Sequence, residues 1–173
     1  MHNILYLMIL FIGCYTPSQE VNQKEVKQEI FDNELFNPSI ILSRGVNKLV
    51  KAESKKMYKN INQFALLVDS VKIDIYDEEG QHMSILYCDS AIINEKNNNL
   101  KANGNVIVIS DSGYTLNTQK IIWDNSYKLI LVEDSVMFTT LEGDTLYGIG
   151  FESDADLEEW RIFQPYGIVR EGI

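Results

Sequence analysis

The chain is poor in the residues that carry chemistry. Its 173 residues include two histidines, two cysteines and three prolines. His2 lies at the head of an amino-terminal apolar run, and His82 directly follows a turn signal, so no Ser-His-Asp arrangement can be proposed. The cysteines and histidines show no metal-ligand spacing, and no GxSxG, HExxH, phosphate-loop or dinucleotide fingerprint occurs. No metal and no cofactor is expected. Positive charge is also short: 15 Lys and Arg against 25 Asp and Glu leave a formal net charge of -10, whereas phosphate binding needs clustered cations. Nucleic acid is therefore excluded as a partner. Long apolar runs are missing too. Ile4–Ile12 spans about nine residues, too few to cross a bilayer as a helix. A hydrophobic content of 45% is ordinary for a folded domain, and the length suits one domain with tails.

What the chain does have is repetition. Gly80, Gly113 and Gly143 each close a unit in which apolar or β-branched residues run into a short acidic or polar turn. The units are Val71–Gly80, Val106–Gly113 and Val136–Gly143, followed by candidate strands at His82–Tyr87, Tyr114–Thr118 and Asp144–Tyr147. Strand, turn and strand is the hairpin signal, with glycine supplying the positive φ of the turn. Recurrence at roughly 30 residues predicts stacked β-layers, which offer grooves and open edges more readily than one enclosed pocket.

The β pattern runs from Val46 to the end. Val71, Ile73 and Ile75 alternate with Lys72, Asp74 and Tyr76, a period of two. Further strands are expected at Phe64–Val68, Ala91–Asn94, Leu100–Ala102, Val106–Ile109, Ile121–Trp123, Lys128–Val132, Val136–Thr140, Leu157–Phe163 and Ile168–Arg170. Asn103-Gly104 reads as one of the turns between them. About a dozen short strands suggest a sandwich, jelly roll or open β-taco. Val106–Ile109 and Leu129–Val132 are apolar on both faces, as strands covered on both sides are. The second cover is either protein or a ligand.

Ahead of these strands, residues 15–43 are rich in Gln, Glu, Lys and Asn and read as a tether, with a short helix possible around Gln23–Phe36. Residues 1–13 match a signal peptide. The run Leu10-Phe-Ile-Gly13-Cys14 resembles a bacterial lipobox, in which a small residue precedes a cysteine that accepts diacylglycerol, so Cys14 is read as lipidated. Cys88 then has no disulfide partner, and with Asp89 beside it in a strand-like stretch it reads as structural.

Acidic residues concentrate late in the chain, with ten from Glu133 onward against Arg161 and Arg170. They form either a solvated face or a dock for a basic partner. The pairs in Asp77-Glu78-Glu79, Asp154-Ala-Asp156 and Glu158-Glu159 could serve glycoside hydrolysis or calcium, but they fall at turns, where carboxylates are common for solvation.

The order of motifs in the later half adds a resemblance. Leu100-Lys-Ala-Asn-Gly104-Asn-Val-Ile-Val leads to Thr115-Leu-Asn-Thr118 and Ile121-Ile-Trp123-Asp124. Gly143-Asp-Thr-Leu-Tyr-Gly148-Ile-Gly150-Phe-Glu-Ser-Asp154 and Trp160-Arg-Ile-Phe-Gln-Pro-Tyr-Gly167-Ile168 follow. This series resembles the LptC family of lipopolysaccharide export, in particular its lipoprotein-type members, over about Leu49 to Ile168. Many members use a transmembrane helix as anchor where this chain offers Cys14.

The resemblance implies a single domain over residues 44–173, a twisted β-jelly roll (β-taco) of antiparallel strands, behind a lipidated tether of residues 14–43. It implies no enzymatic activity and a place on the periplasmic side of the inner membrane. Lipopolysaccharide would come from an inner-membrane ATP-binding-cassette (ABC) transporter of the Lpt type and pass to an LptA-like periplasmic bridge protein. Candidate lipid-binding residues are Val106, Val108, Ile121, Trp123, Leu129, Leu131, Val136 and Phe138, chosen because alternate positions share a face. Ile107, Ile109, Ile130 and Val132 form the other set. Strands near Val46–Ala52 would face the transporter and those near Leu157–Arg170 the bridge, by strand addition at open edges. Gly148, Gly150 and Gly167 are candidate fold or docking positions there. The alternative reading is a β-rich surface lipoprotein that binds polysaccharide or a protein through aromatics such as Tyr114, Tyr127 and Tyr147.

Overall fold

The computed structural model describes residues 33–60 and 63–167, so Cys14, the signal segment and the strand expected at Ile168–Arg170 lie outside the described residues. Every regular element among the described residues is a strand. In chain order they are β1 (Asn33–Phe36), β2 (Ser39–Arg44), β3 (Asn47–Glu53), β4 (Lys56–Lys59), β5 (Phe64–Tyr76), β6 (His82–Asn94), β7 (Asn99–Ser110), β8 (Thr115–Asp124), β9 (Leu129–Thr139), β10 (Thr145–Ser153) and β11 (Trp160–Tyr166). All join one antiparallel sheet in the order β1-β4-β5-β6-β7-β8-β9-β10-β11, with β2 on β3 and β3 on β5. The sheet does not close: β1 and β2 form one edge and β11 the other. The fold is all-β, of the β-jelly-roll or β-taco kind.

The three repeated turns are built alike. Gly80, Gly113 and Gly143 have φ of 86°, 106° and 85°. Each donates its N–H to the carbonyl three residues earlier, on Asp77, Ser110 and Thr140 respectively. Those same three residues donate to the carbonyls of Gln81, Tyr114 and Asp144, closing each hairpin.

A line of irregularities crosses the strands. Pairing register shifts between Val68 and Val71 on β5, between Tyr87 and Ser90 on β6, between Asn103 and Val106 on β7, and between Thr118 and Ile122 on β8. On β10 it shifts between Ile149 and Phe151. The line continues through the breaks between β3 and β4 and between β1 and β2, because Asn37 donates to Lys55 and Lys55 to Asp69 through their backbones. The register of β2 on β3 continues that of β1 on β4, so each broken pair is a single bent strand. Bulges bend strands and raise their twist. A row of them in adjacent strands is a crease, and this crease folds the sheet over on itself.

The fold-over shows in what meets what. Ile75, beside the β5–β6 turn, and Asn98, in the β6–β7 turn, stand at opposite ends of β6, yet they line one cavity. Likewise Phe138, before the β9–β10 turn, packs on Phe151 across the crease with ring centroids 5.2 Å apart. The core lies between the two half-sheets. One half contributes Ala65, Leu67, Ala91, Ile93, Leu100, Ala102, Ile121, Ile130 and Phe151, and the other Val71, Ile73, Leu86, Val106, Val108, Leu116, Val136 and Phe138.

Four expectations change. Strands β1 and β2 lie where a tether was expected before residue 44, and the part of the expected helix at Asn33–Phe36 is β1. Polar flanks obscured this pattern: Ile40 and Leu42 turn inward from an otherwise exposed edge, and Pro38 sits at the crease, where the ladder is interrupted. Segments separated by Asn103-Gly104, or by Asp69-Ser70, are halves of single strands, because the chain bulges at Gly104-Asn105 and at Asp69-Ser70, all with positive φ, rather than turning back. Val46–Ala52 is not an edge; most of it is β3, covered by β2. The strand expected from Leu157 starts at Trp160, and Leu157 is a fully buried loop residue.

Candidate functional site

The interior of the folded sheet holds six of the eight candidate residues. Val106, Val108, Ile121, Trp123, Val136 and Phe138 all point inward and are buried. Leu129 and Leu131 do not, and their place is taken by Ile130 and Val132. The cause is the crease. On β8 the inward set passes from Leu116 and Thr118 to Ile121 and Trp123, changing parity, whereas on β9 Ile130, Val132, Val136 and Phe138 keep it. Trp123 pairs with Ile130, so both face inward. In a stretch apolar on both faces, the residues themselves gave no parity signal.

The half-sheets are closely packed where these residues meet. The cavity between them measures about 20 Å³ and is lined by Leu42, Val50, Ile73, Ile75, Leu86, Ile93, Asn98, Leu100 and Trp123. That is room for about one water. The lining is almost wholly apolar, and it lies toward the strand ends of the β2–β8 side, at the lips of the fold. Leu42, Val50, Leu86 and Leu100 were missed by sequence reasoning. Only Leu100 stands between two polar residues; Leu42 and Val50 each follow an apolar residue, and Leu86 lies between Ile85 and Tyr87, which hides the period of two.

The lips on this side carry cations. Arg44 ends β2, and its guanidinium pairs with Glu78 in the β5–β6 turn. Lys128, in the β8–β9 turn, lies near enough to Arg44 to feel its charge. Burial and then Arg44 push the Lys128 ammonium below its ordinary value, while Glu78 opposes the shift. Lys128 donates to the Asn125 side chain at 2.7 Å. Lys48 sits 5.0 Å above the Tyr76 ring on the same side. Arg44, Lys48 and Lys128 thus stand on this side, with Arg44 paired to Glu78 in a turn that also holds Asp77 and Glu79.

The opposite end is plugged. Phe138 stacks on Tyr114 at 5.7 Å and packs on Trp160 at 4.7 Å and on Phe151. The β10–β11 loop pushes Ala155 and Leu157 into the core beside them. Beyond this plug lies the β11 edge, where Phe163 and Tyr166 are 51% and 54% exposed. At the other edge Phe36 and Ile41 are exposed. Two of the candidate glycines serve β11 directly. A Cβ on Gly148 would strike Ile162 and the Gln164 carbonyl, and Gly150 is a positive-φ bulge beneath Phe163. Gly167 borders open space at the end of the strand. Of the tyrosines, Tyr114 is committed to Phe138, Tyr127 is an exposed turn residue, and Tyr147 stacks on Tyr166.

The remaining reactive groups are held in structural positions. Burial pushes the Cys88 thiol up to about 12, and its Sγ donates to the Ser90 carbonyl at the crease. His82 contacts Asp111 through Nδ1 at 2.8 Å and Asp74 through Nε2 at 3.5 Å, with the Tyr76 ring at its edge. This joins three strands at one lip. Among the described residues, no three of His, Cys, Asp and Glu gather as a metal-holding group. Nor does any described helix have the length and apolarity to cross a membrane. No protein-family model and no curated protein matches the chain.

Proposed function

We propose that this protein is a non-enzymatic lipid relay of the LptC type, tethered through Cys14 to the periplasmic side of the inner membrane. It would take lipopolysaccharide from an Lpt-type ABC transporter and pass it to an LptA-like bridge protein. The observation that carries this reading is the apolar interior opening between lips that bear Arg44, Lys48 and Lys128. Acyl chains are satisfied by the interior, and the phosphates of the headgroup by the cations at its mouth. Two sheet edges that no other described strand pairs, with exposed aromatic residues, support strand addition by neighbours of similar fold.

Since the interior holds about one water, loading requires the half-sheets to part along the crease. The lips are the natural place to begin, because the opposite end is held by the Phe138 cluster. The test is site-specific photocrosslinking in the membrane-anchored protein beside a working transporter. A photoreactive residue at Val108 or Trp123 should give ATP-dependent lipopolysaccharide adducts, and one at Ile107 or Leu131 should give none. Equal labelling of both sets, or no adduct on a folded protein, would sink the relay.

A further inference from the structure

The outer surface carries a second recess. It lies beside the crease on the half-sheet that includes Val106 and Val136, and it measures about 380 Å³, within the range of small-ligand clefts. Its outward side chains come from four neighbouring strands: Asn105 and Ile107 on β7, Asn117 and Gln119 on β8, Ser135 and Met137 on β9, and Tyr147 on β10. Tyr166 of β11 completes one wall, with its ring stacked on Tyr147 at a centroid distance of 6.3 Å and an interplanar angle of 25°. The crease explains the recess. Bulges at Gly104-Asn105 and around Gln119 interrupt the ladder and leave a depression where a regular sheet would be filled.

The chemistry of the lining narrows the ligand. No side chain in it is charged, although the chain carries forty charged residues, 15 basic plus 25 acidic. An anion would find no cation there, and a cation no carboxylate. Amides and a hydroxyl provide both donors and acceptors, which suits vicinal hydroxyl groups. Asn105 is held in place by its Nδ2 donating to Asp89 at 2.8 Å, leaving its carbonyl oxygen as an acceptor. Tyr147 and Tyr166, 41% and 54% exposed, offer broad aromatic surface for the C–H face of a pyranose ring. An added peptide strand would dock on an edge, but this recess is cut into the face of the sheet.

We infer that this recess is a binding site for a neutral oligosaccharide, with Tyr147 and Tyr166 as the stacking wall and Asn105, Asn117, Gln119 and Ser135 as its hydroxyl partners. The site is independent of the cargo of the interior, since it lies on the other face of the sheet.

The full chain can be titrated with cellotetraose, maltotetraose and triacetylchitotriose, and with a trigalacturonate as the anionic comparison. Calorimetry would read affinity, and amide chemical shifts would read location. At least one neutral probe should bind and shift Asn117, Gln119 and Tyr147. Tyr166→Ala should weaken that binding about tenfold, near the upper value of a single stacking contact, and Gln119→Ala about threefold to tenfold, as the loss of one hydrogen bond, both with the melting temperature unchanged. Three results would overturn the assignment: no binding of any neutral probe at millimolar concentration, preference for trigalacturonate, or undiminished affinity in both variants.

Discussion

At Asp154 one side chain serves several neighbours. Its Oδ1 accepts from the backbone N–H groups of Glu158 and Glu159 at 3.1 and 3.2 Å, and from the Ser153 hydroxyl at 3.2 Å. Burial, and then the contact with Asp156, nevertheless raise its carboxyl above the ordinary range. The folded chain therefore binds this proton more tightly than the unfolded chain does. Between the ordinary aspartate value and the raised one, stability falls as pH rises, because ionising the folded group is penalised. Asp154→Asn keeps an acceptor oxygen and removes the penalty. The variant should melt above the wild type at pH 7 and together with it at pH 3, below both values. A variant that melts lower at pH 7 would mean that the charge-assisted bonds to the loop outweigh burial. This loop carries Leu157 into the core at a φ of 61°, so its geometry bears on the aromatic plug as well.

Among the elements, the crease decides most, and it was the part least legible in the sequence. The hairpins were legible, because Gly80, Gly113 and Gly143 end units of strong alternation. The crease was not, because its signals look like those of turns: Asn103-Gly104 reads as a hairpin dipeptide until neighbouring strands show that the chain continues straight through it. Leu129 and Leu131 were misplaced for the same reason, since parity across a bulge depends on the partner strand and not on the residues alone. Six of the eight interior positions were still found, where alternation reached the bulge unbroken. Of the outer recess the sequence singled out Tyr147 alone as a polysaccharide contact, because the lining is drawn from five strands at one level. Gly104 tests the crease directly. Its φ is 79°, and a Cβ there would run into the Asp89 carboxylate that holds Asn105. Gly104→Ala should cost about 1–3 kcal/mol, the usual penalty for overpacking, read by urea denaturation. A cost near zero would show that the crease yields easily.

For the whole molecule, the proposed relay sets a dry core against a cargo. A sheet folded on itself gains stability by excluding water from the interior, but a relay must give up that packing each time it loads. The molecule is uneven in this respect. The β2–β8 side has the cavity, the short strand β2 at its edge and cations at its lips, whereas the β9–β11 side is tied by Phe138, Phe151, Trp160 and Leu157. Trp123 lines the cavity on the first side, so on the proposed relay cargo should reach it early. The chain has two tryptophans, and Trp160→Phe leaves Trp123 as the only reporter while keeping an aromatic ring in the plug. A lipid A with brominated acyl chains should then quench Trp123 emission, and the quenching should weaken when Arg44 and Lys128 are both replaced by Ala. Unquenched emission from a folded variant that demonstrably binds the lipid would place the acyl chains outside the fold. Quenching that is indifferent to Arg44 and Lys128 would keep the interior as the seat and remove the cations from the route by which cargo arrives.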